Sequence, residues 1–469
     1  MIAAFLFVSV VHAPTAGTWV VAQEQPAPGP RTSEGYAIPP APVVSEGPYP
    51  AELADDVERL VREFESAGAT PNTLRAVGRH GDPRAAWLIL DVLRFAERTG
   101  EQTGAAVEAL EFALGQPLPV ETWVAAWKTA SDFLIAWDLP AAPGYAGRKR
   151  RVFTEVAPDW SPLFADPAAD VDWRWISWGG VFRDDRGLHE LDGCARGCIP
   201  SLDDPAVTPA AGGDWYPDEA EVFGLVIDGE ARAYPRHQLE THELVLDTLG
   251  GRRIALPYCT LCGAAQAYFT DDLPPTLPPL VLRTSGLLSR SNKVLYDLES
   301  GALFDTFTGR ALSGAPRLAR VQLTPLPVVA STWGAWKRAH PETTIVAEDG
   351  GIGLQYDPDP LAGRDDNGPI FPVGAVHEQL GAQERVLGVA LDDGRTLAFP
   401  YQAARRALRS GREVRLGDVH LNLSGDGLVA LGSDGETLTA HPAFWFAWSQ
   451  FHPKTGLWLT PARLASEQE

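Results

Sequence analysis

The stretch VFGLVIDGEARAYP, residues 222–235, recurs as VLGVALDDGRTLAFP at residues 386–400, with one extra aspartate in the second copy. In each, two apolar runs flank an Asp-Gly turn, the pattern of a β-hairpin. A second pair of segments follows in the same order, WGAWKRAHPET at 333–343 and WFAWSQFHPKT at 445–455. They share Trp-x2-Trp-x3-His-Pro-x-Thr, and Pro341 or Pro453 ends the short helix that this spacing predicts. Two ordered matches predict a mostly β domain made of two related, internally duplicated halves, at 145–350 and 351–460. Trp333, Trp336 and His340 share one helix face, as do Trp445, Trp448 and His452. Positions kept in both halves are expected to maintain the fold.

Other apolar runs between Gly, Pro and Asp turns read as further strands: RRIALPYC, QAYF, PPLVLRTSG and NKVLYDLESG. The segment DDLPPTLPPL at 271–280 reads as a loop. Upstream the period changes. Leu53, Val57, Leu60, Val61 and Phe64 follow helical spacing, and GDPRAAWLILDVLRFA places Asp82 as an N-cap before Pro83. Ala106, Leu110 and Ala113 mark another helix, and Trp123, Trp127, Ala130, Leu134 and Trp137 one more. Residues 51–140 are therefore expected to form an all-helical domain, HEAT-like or a plain bundle, with packing or partner binding as its role. The whole is an α+β chain. Residues 23–50, with PAPGP and IPPAPVV, read as a disordered or extended linker.

The first residues open on an apolar run, Ile2 to Val11, too short for an ordinary membrane span. With small residues at Ala13 and Ala22, residues 1–22 read as a signal peptide that lacks the usual basic start. The expected location is periplasmic or secreted, with no transmembrane helix after signal removal. A net charge of −22 over 469 residues disfavours nucleic acid as a partner, because phosphate contacts need clustered Lys and Arg.

The ordered series WISWGGVF (175–182), CIPSLDDP (198–205) and VFGLVIDGEARAYPRHQLETHELVLDTLGG (222–251) continues downstream. LPYCTLCGAAQAYF (256–269), TSGLLSRSNKVLYDLESGALFDTFTGRALSG (284–314) and TWGAWKRAHPET (332–343) complete it. This series resembles the bacterial domain of unknown function family 3179 over about residues 145–460. The resemblance implies no established activity. The family's usual Tyr-Cys-Pro-Leu-Cys-Gly has Thr260 for proline here, its usual Asn is Leu246, and its Leu-Trp-x-Gln is Leu303-Phe304-Asp305-Thr306. Cys194 and Cys198 are additional to the common pattern.

Four cysteines bear most of the chemistry: Cys194, Cys198, Cys259 and Cys262. Cys259-x2-Cys262 followed by Gly263 lets two sulfurs face one centre, as in zinc and iron–sulfur turns. With Cys194 and Cys198 the count reaches four, although that Cys-x3-Cys spacing departs from a zinc ribbon. A thioredoxin-type pair would start a helix, whereas AAQAYF reads as a strand. In an exported chain the same cysteines are also expected as disulfide staples. His242 could add a ligand or a proton relay, with Glu243, also a candidate pocket residue, orienting it or binding metal. Arg283, Ser285, Asn292 and Asp297 are candidate pocket residues, the bland alternative being turn capping.

The leading expectation is a metal- or redox-active binding module that uses the Cys259–Cys262 pair, helped by His242, Cys194 or Cys198, with zinc, copper or iron as the metal. An enzyme with a thiol-based or metal-assisted site between the halves is one rival, and a disulfide-stapled partner-binding protein the other. Convergence of the four cysteines and His242 on one centre would separate them.

Overall fold

The computed structural model describes residues 30–96, 100–119, 123–364 and 368–459. The signal segment 1–22 and residues 23–29 of the linker lie outside the described residues.

A helical region comes first. Helices Ala51–Ser66, Pro71–Arg79, Ala86–Ala96, Gly100–Leu114 and Trp123–Ala136 bury their apolar stripes against one another, with Leu53, Val57, Leu60, Val61, Leu110 and Leu134 inaccessible to solvent. Asp82 caps as its position predicts: its side chain accepts from the Arg84 N–H, and Pro83 opens a 3-10 turn that runs into the Ala86–Ala96 helix. The helical region is longer than 51–140. Tyr145–Val156 is a further helix and Pro158–Phe164 a 3-10 turn, so the boundary falls after residue 164. Polar sequence hid that helix. Its Lys149 is fully buried and pairs with Asp91 at 2.5 Å, a partner 58 residues away.

Residues 30–50 are extended rather than loose. Ile38, Val44 and Tyr49 pack on the helical core, and the Trp137 indole donates to the Pro39 carbonyl at 2.7 Å.

The β-rich part is a propeller-like ring of five sheets. The first sheet runs in the order Ile176–Trp178, Leu282–Ser289, Asn292–Asp297, Leu303–Asp305. The second runs Pro325–Leu326, Ala267–Phe269, Arg252–Cys259, Leu244–Leu249, Leu202–Asp203. The third runs Val329–Thr332, Glu221–Ile227, Glu230–Pro235, Thr344–Val346, Val207–Pro209. Ala440–Phe444, Arg385–Ala390, Thr396–Pro400 and Gly456–Leu457 form the fourth, and Arg415–Leu416, Val419–Ser424 and Gly427–Leu431 the fifth. The first sheet packs on the helices, where Leu287, Val294, Tyr296 and Leu303 join the core of Phe153 and Trp160. The other four share one core that includes Leu256, Phe223, Phe399 and Leu421.

The third and fourth sheets are built alike. In each, an antiparallel hairpin (Glu221–Ile227 with Glu230–Pro235, Arg385–Ala390 with Thr396–Pro400) has an antiparallel strand on one side and a parallel strand on the other. Asp228 and Gly229 both adopt positive φ, 50° and 84°, the two-residue turn that matches strand twist. The second hairpin accommodates its extra aspartate in a longer turn closed by the Leu391 N–H on the Arg395 carbonyl, 2.9 Å. Helices Trp333–Ala339 and Trp445–Phe451 follow the outer strands, and His340 and His452 cap them with near-identical backbone angles. The Trp336 indole donates to the Thr343 hydroxyl at 3.0 Å and the Trp448 indole to that of Thr455 at 2.9 Å. Trp333 and Trp445 donate to the Gly213 and His377 carbonyls, and all four indoles are fully buried.

Candidate functional site

Strand Arg252–Cys259 ends in the Cys-x2-Cys turn, where the Cys262 N–H bonds the Cys259 carbonyl at 3.1 Å. Gly263 is required next, because its φ is +54° and a Cβ would fall 2.8 Å from the Phe444 ring. The Phe444 N–H in turn holds the Cys262 carbonyl at 2.8 Å, tying the turn to the fourth sheet. Both thiols are free and buried, at 2% and 0% exposure, so they meet the protein rather than bulk water.

The two sulfurs are unlike. Burial by itself would raise the Cys259 thiol, but the Cys262 thiol and the main-chain N–H groups of Lys293, Cys262 and Leu261 hydrogen-bond to it, and together they hold it below the ordinary value. Burial pushes Cys262 well up, and its bond to Cys259 adds to this. The Ser291 carbonyl lies 3.6 Å from the Cys259 sulfur and 3.4 Å from that of Cys262, and the Asn292 side-chain oxygen is 3.9 Å from Cys262.

A polar layer backs this turn. Glu243 follows helix Arg236–His242 in the left-handed region, φ 56°, which turns its carboxylate inward. It accepts the Thr260 hydroxyl at 2.6 Å and contacts the ammonium of buried Lys293. Burial and then nearby Arg364 push Lys293 well below its ordinary value, which the contact with Glu243 opposes. The Arg364 guanidinium caps the turn at the Thr260 carbonyl. On the other side Asn292 donates to the Thr306 hydroxyl at 2.7 Å, which donates to the Lys293 carbonyl at 2.6 Å. Thr260 and Thr306, two of the positions where this chain departs from the resembling family, are thus both in this layer.

The remaining candidates stand elsewhere. His242 turns away from the thiols: its Nδ1 donates to the Pro200 carbonyl at 2.7 Å, so its Nε2 accepts the Tyr356 hydroxyl, also at 2.7 Å. Burial holds that ring below its usual value. It lines a separate cavity of about 660 Å³ together with Arg186, His189, Asp203, Cys194 and Cys198. Cys194 and Cys198 are bonded to each other, their Cα atoms 5.7 Å apart. With Asp184 they are the one group of three or more metal-capable side chains within 4.8 Å among the described residues. That carboxylate is already held by Arg186 at 2.8 and 2.9 Å and by the Ser201 N–H at 2.8 Å. The four cysteines and His242 therefore do not meet at one centre.

Nor do the candidate pocket residues form one pocket. Arg283 is fully buried on Asp203, at 2.8 and 2.9 Å. Ser285 donates to the Val294 carbonyl at 2.5 Å. Asp297 caps a turn by accepting the Ser300 N–H and hydroxyl at 2.9 and 2.6 Å. Only Glu243 and Asn292 join the thiols. Sequence reasoning misses Lys293 and Arg364, and marks Thr260 and Thr306 only as departures from the family pattern. The one signal for Lys293 was a lysine inside the strand-forming run NKVLYD, where a charge needs a buried partner.

Residues 196–426 match the family described as Protein of unknown function (DUF3179), so the chain carries a domain of this family. The match is shorter than the 145–460 expected from resemblance, but it spans the thiol turn, Glu243, Lys293 and Thr306. No curated protein and no solved structure matches the chain.

Proposed function

We propose that this chain is a soft-metal binding module in which Cys259 and Cys262 hold a thiophilic cation. The observation that carries the reading is that two free, buried sulfurs converge on one point, the Ser291 carbonyl, at 3.6 and 3.4 Å. Of zinc, copper and iron, copper(I) suits the donor set best, since two thiolates can hold it. Structural zinc takes four ligands. Among the described residues, no third side chain forms a group of metal-capable donors with the two sulfurs. Binding would release the thiol protons and place a cation against two sulfurs that repel each other when both are ionised. Glu243, Thr260 and Arg364 fix the turn and take no direct part.

An extracytoplasmic location accords with the bonded Cys194–Cys198 pair and with the apolar opening segment. The likeness of the third and fourth sheets supports an internal duplication in which only the first copy carries the thiol turn. The helical region, which holds no thiol, is read as the part that docks a protein partner. No described helix is long and apolar enough to cross a membrane.

A second reading uses the same sulfurs as a dithiol–disulfide couple, favoured by their shared approach to the Ser291 carbonyl. Metal analysis of anaerobically purified protein, beside a Cys259→Ser/Cys262→Ser variant, separates the two. Bound metal that the variant lacks supports the first reading. Metal-free protein whose pair titrates reversibly in a redox buffer supports the second.

A further inference from the structure

A cavity of about 770 Å³ is bordered by connections of the third sheet and shares no residue with the thiol turn. Three stretches of chain meet there. Trp215 and Tyr216 come from the loop before strand Glu221–Ile227, and His237 from helix Arg236–His242. Glu348, Asp349 and Tyr356 come from the loop after strand Thr344–Val346. The volume lies within the range of small-molecule pockets.

The His237 ring is the hub of an aromatic cluster. It stacks on Tyr216, with centroids 5.3 Å apart and planes inclined by 21°. Trp215 and Tyr356 stand steeply to it, at 70° and 89°, so rings in several orientations face one space. Trp215 and Tyr356 are only half-buried, and each keeps ring surface open. Burial pushes His237 down to about 4, so this ring is neutral at pH 7 and adds no positive charge to the wall.

The hydrogen-bonding atoms of these rings are spent elsewhere. The Tyr216 hydroxyl donates to the Glu221 carbonyl and the Tyr356 hydroxyl to His242 Nε2, each at 2.7 Å, and the Trp215 Nε1 is buried. A sugar, which needs donors and acceptors around its ring, would find few here. The cavity offers instead π surface and charge of one sign. Glu348 and Asp349 are exposed at its edge, the latter oriented by the Gly351 N–H at 2.9 Å, and among the described residues no Lys or Arg lines it. Ring faces draw cations through their quadrupole and carboxylates draw them by Coulomb attraction, so the two act in the same direction.

We infer that this cavity binds a small organic cation of the quaternary-ammonium class, its methylated head among Trp215, His237 and Tyr356 and its charge balanced by Glu348 and Asp349. Such a head has no N–H to satisfy, which suits a wall of rings whose polar atoms are already paired or buried. The site uses neither sulfur, so it stands or falls separately from metal binding.

Calorimetric titration of the full chain with choline tests this, beside the uncharged choline analogue in which carbon replaces the nitrogen, and glucose as the sugar control. Saturable choline binding is expected, with the uncharged analogue about tenfold weaker and glucose not bound. Trp215→Ala should weaken choline about tenfold. Glu348→Gln, which alters an exposed side chain, should weaken it about threefold and decides the matter if Trp215→Ala does not fold. Absence of saturable choline binding overturns the proposal, as does equal affinity for the uncharged analogue. Choline affinity unchanged in the folded variants, or glucose bound in place of choline, does so too.

Discussion

Gly224 lies beneath the indole of Trp336 so closely that a Cβ would fall 2.3 Å from the ring. Gly388 stands in the same relation to Trp448, at 2.2 Å. Each tryptophan reaches the hairpin of its own sheet only because the strand has no side chain there. Gly224→Ala and Gly388→Ala should each destabilise the protein by about 1–3 kcal/mol through overpacking. Urea unfolding midpoints measure this, and an unchanged midpoint in either variant would refute the packing account.

The Glu243–Lys293 contact is buried, so removing Glu243 leaves the Lys293 amine to carry an unpaired charge or to give up its proton. Glu243→Gln should cost about 3–5 kcal/mol. Glu243→Gln with Lys293→Met should recover most of that loss, because the double change leaves no unpaired ion. Thermal and denaturant unfolding of the three variants checks this. A double variant no more stable than Glu243→Gln alone would contradict it.

The depressed histidines set a pH dependence with a definite sign. His237, His441 and His452 are each held to about 4 by burial, against about 6.5 in an unfolded chain. Between those values the unfolded chain binds more protons, so stability rises with pH across that window. It should be fully present above about pH 6.5 and lost as pH falls towards 4, with His441 contributing about 3 kcal/mol. His441→Val should flatten the curve in that window. An equally steep curve in the variant would show that His441 is not the titrating group.

Local pattern carried some of this structure and long-range pairing the rest. The Asp228-Gly229 hairpin, the Asp82–Pro83 helix start and the strand that ends at Cys259 depend on residues a few positions apart, and periodicity and turn chemistry display them. The helix Tyr145–Val156 lacks a clear apolar period because Arg148, Lys149, Arg150 and Arg151 interrupt it, although Lys149 is buried on Asp91. Likewise the spacing of the four cysteines could not show that Cys194 and Cys198 sit beside Asp184 while Cys259 and Cys262 sit beside Lys293. That separation is set by the second sheet's pairing with strands far away in the chain. Glu243 and His242 are adjacent yet point apart, His242 to the cavity beside Cys194–Cys198 and Glu243 to Thr260 and Lys293, because the left-handed residue after the helix reverses the chain direction.

The central claim concerns two sulfurs, and copper(I) titration under anaerobic conditions against a chromophoric chelator tests it most directly. The account predicts one copper(I) bound per chain, lost in Cys259→Ser/Cys262→Ser and kept in Cys194→Ser/Cys198→Ser. Copper(I) binding that survives loss of Cys259 and Cys262, or none in the wild-type protein, would contradict it.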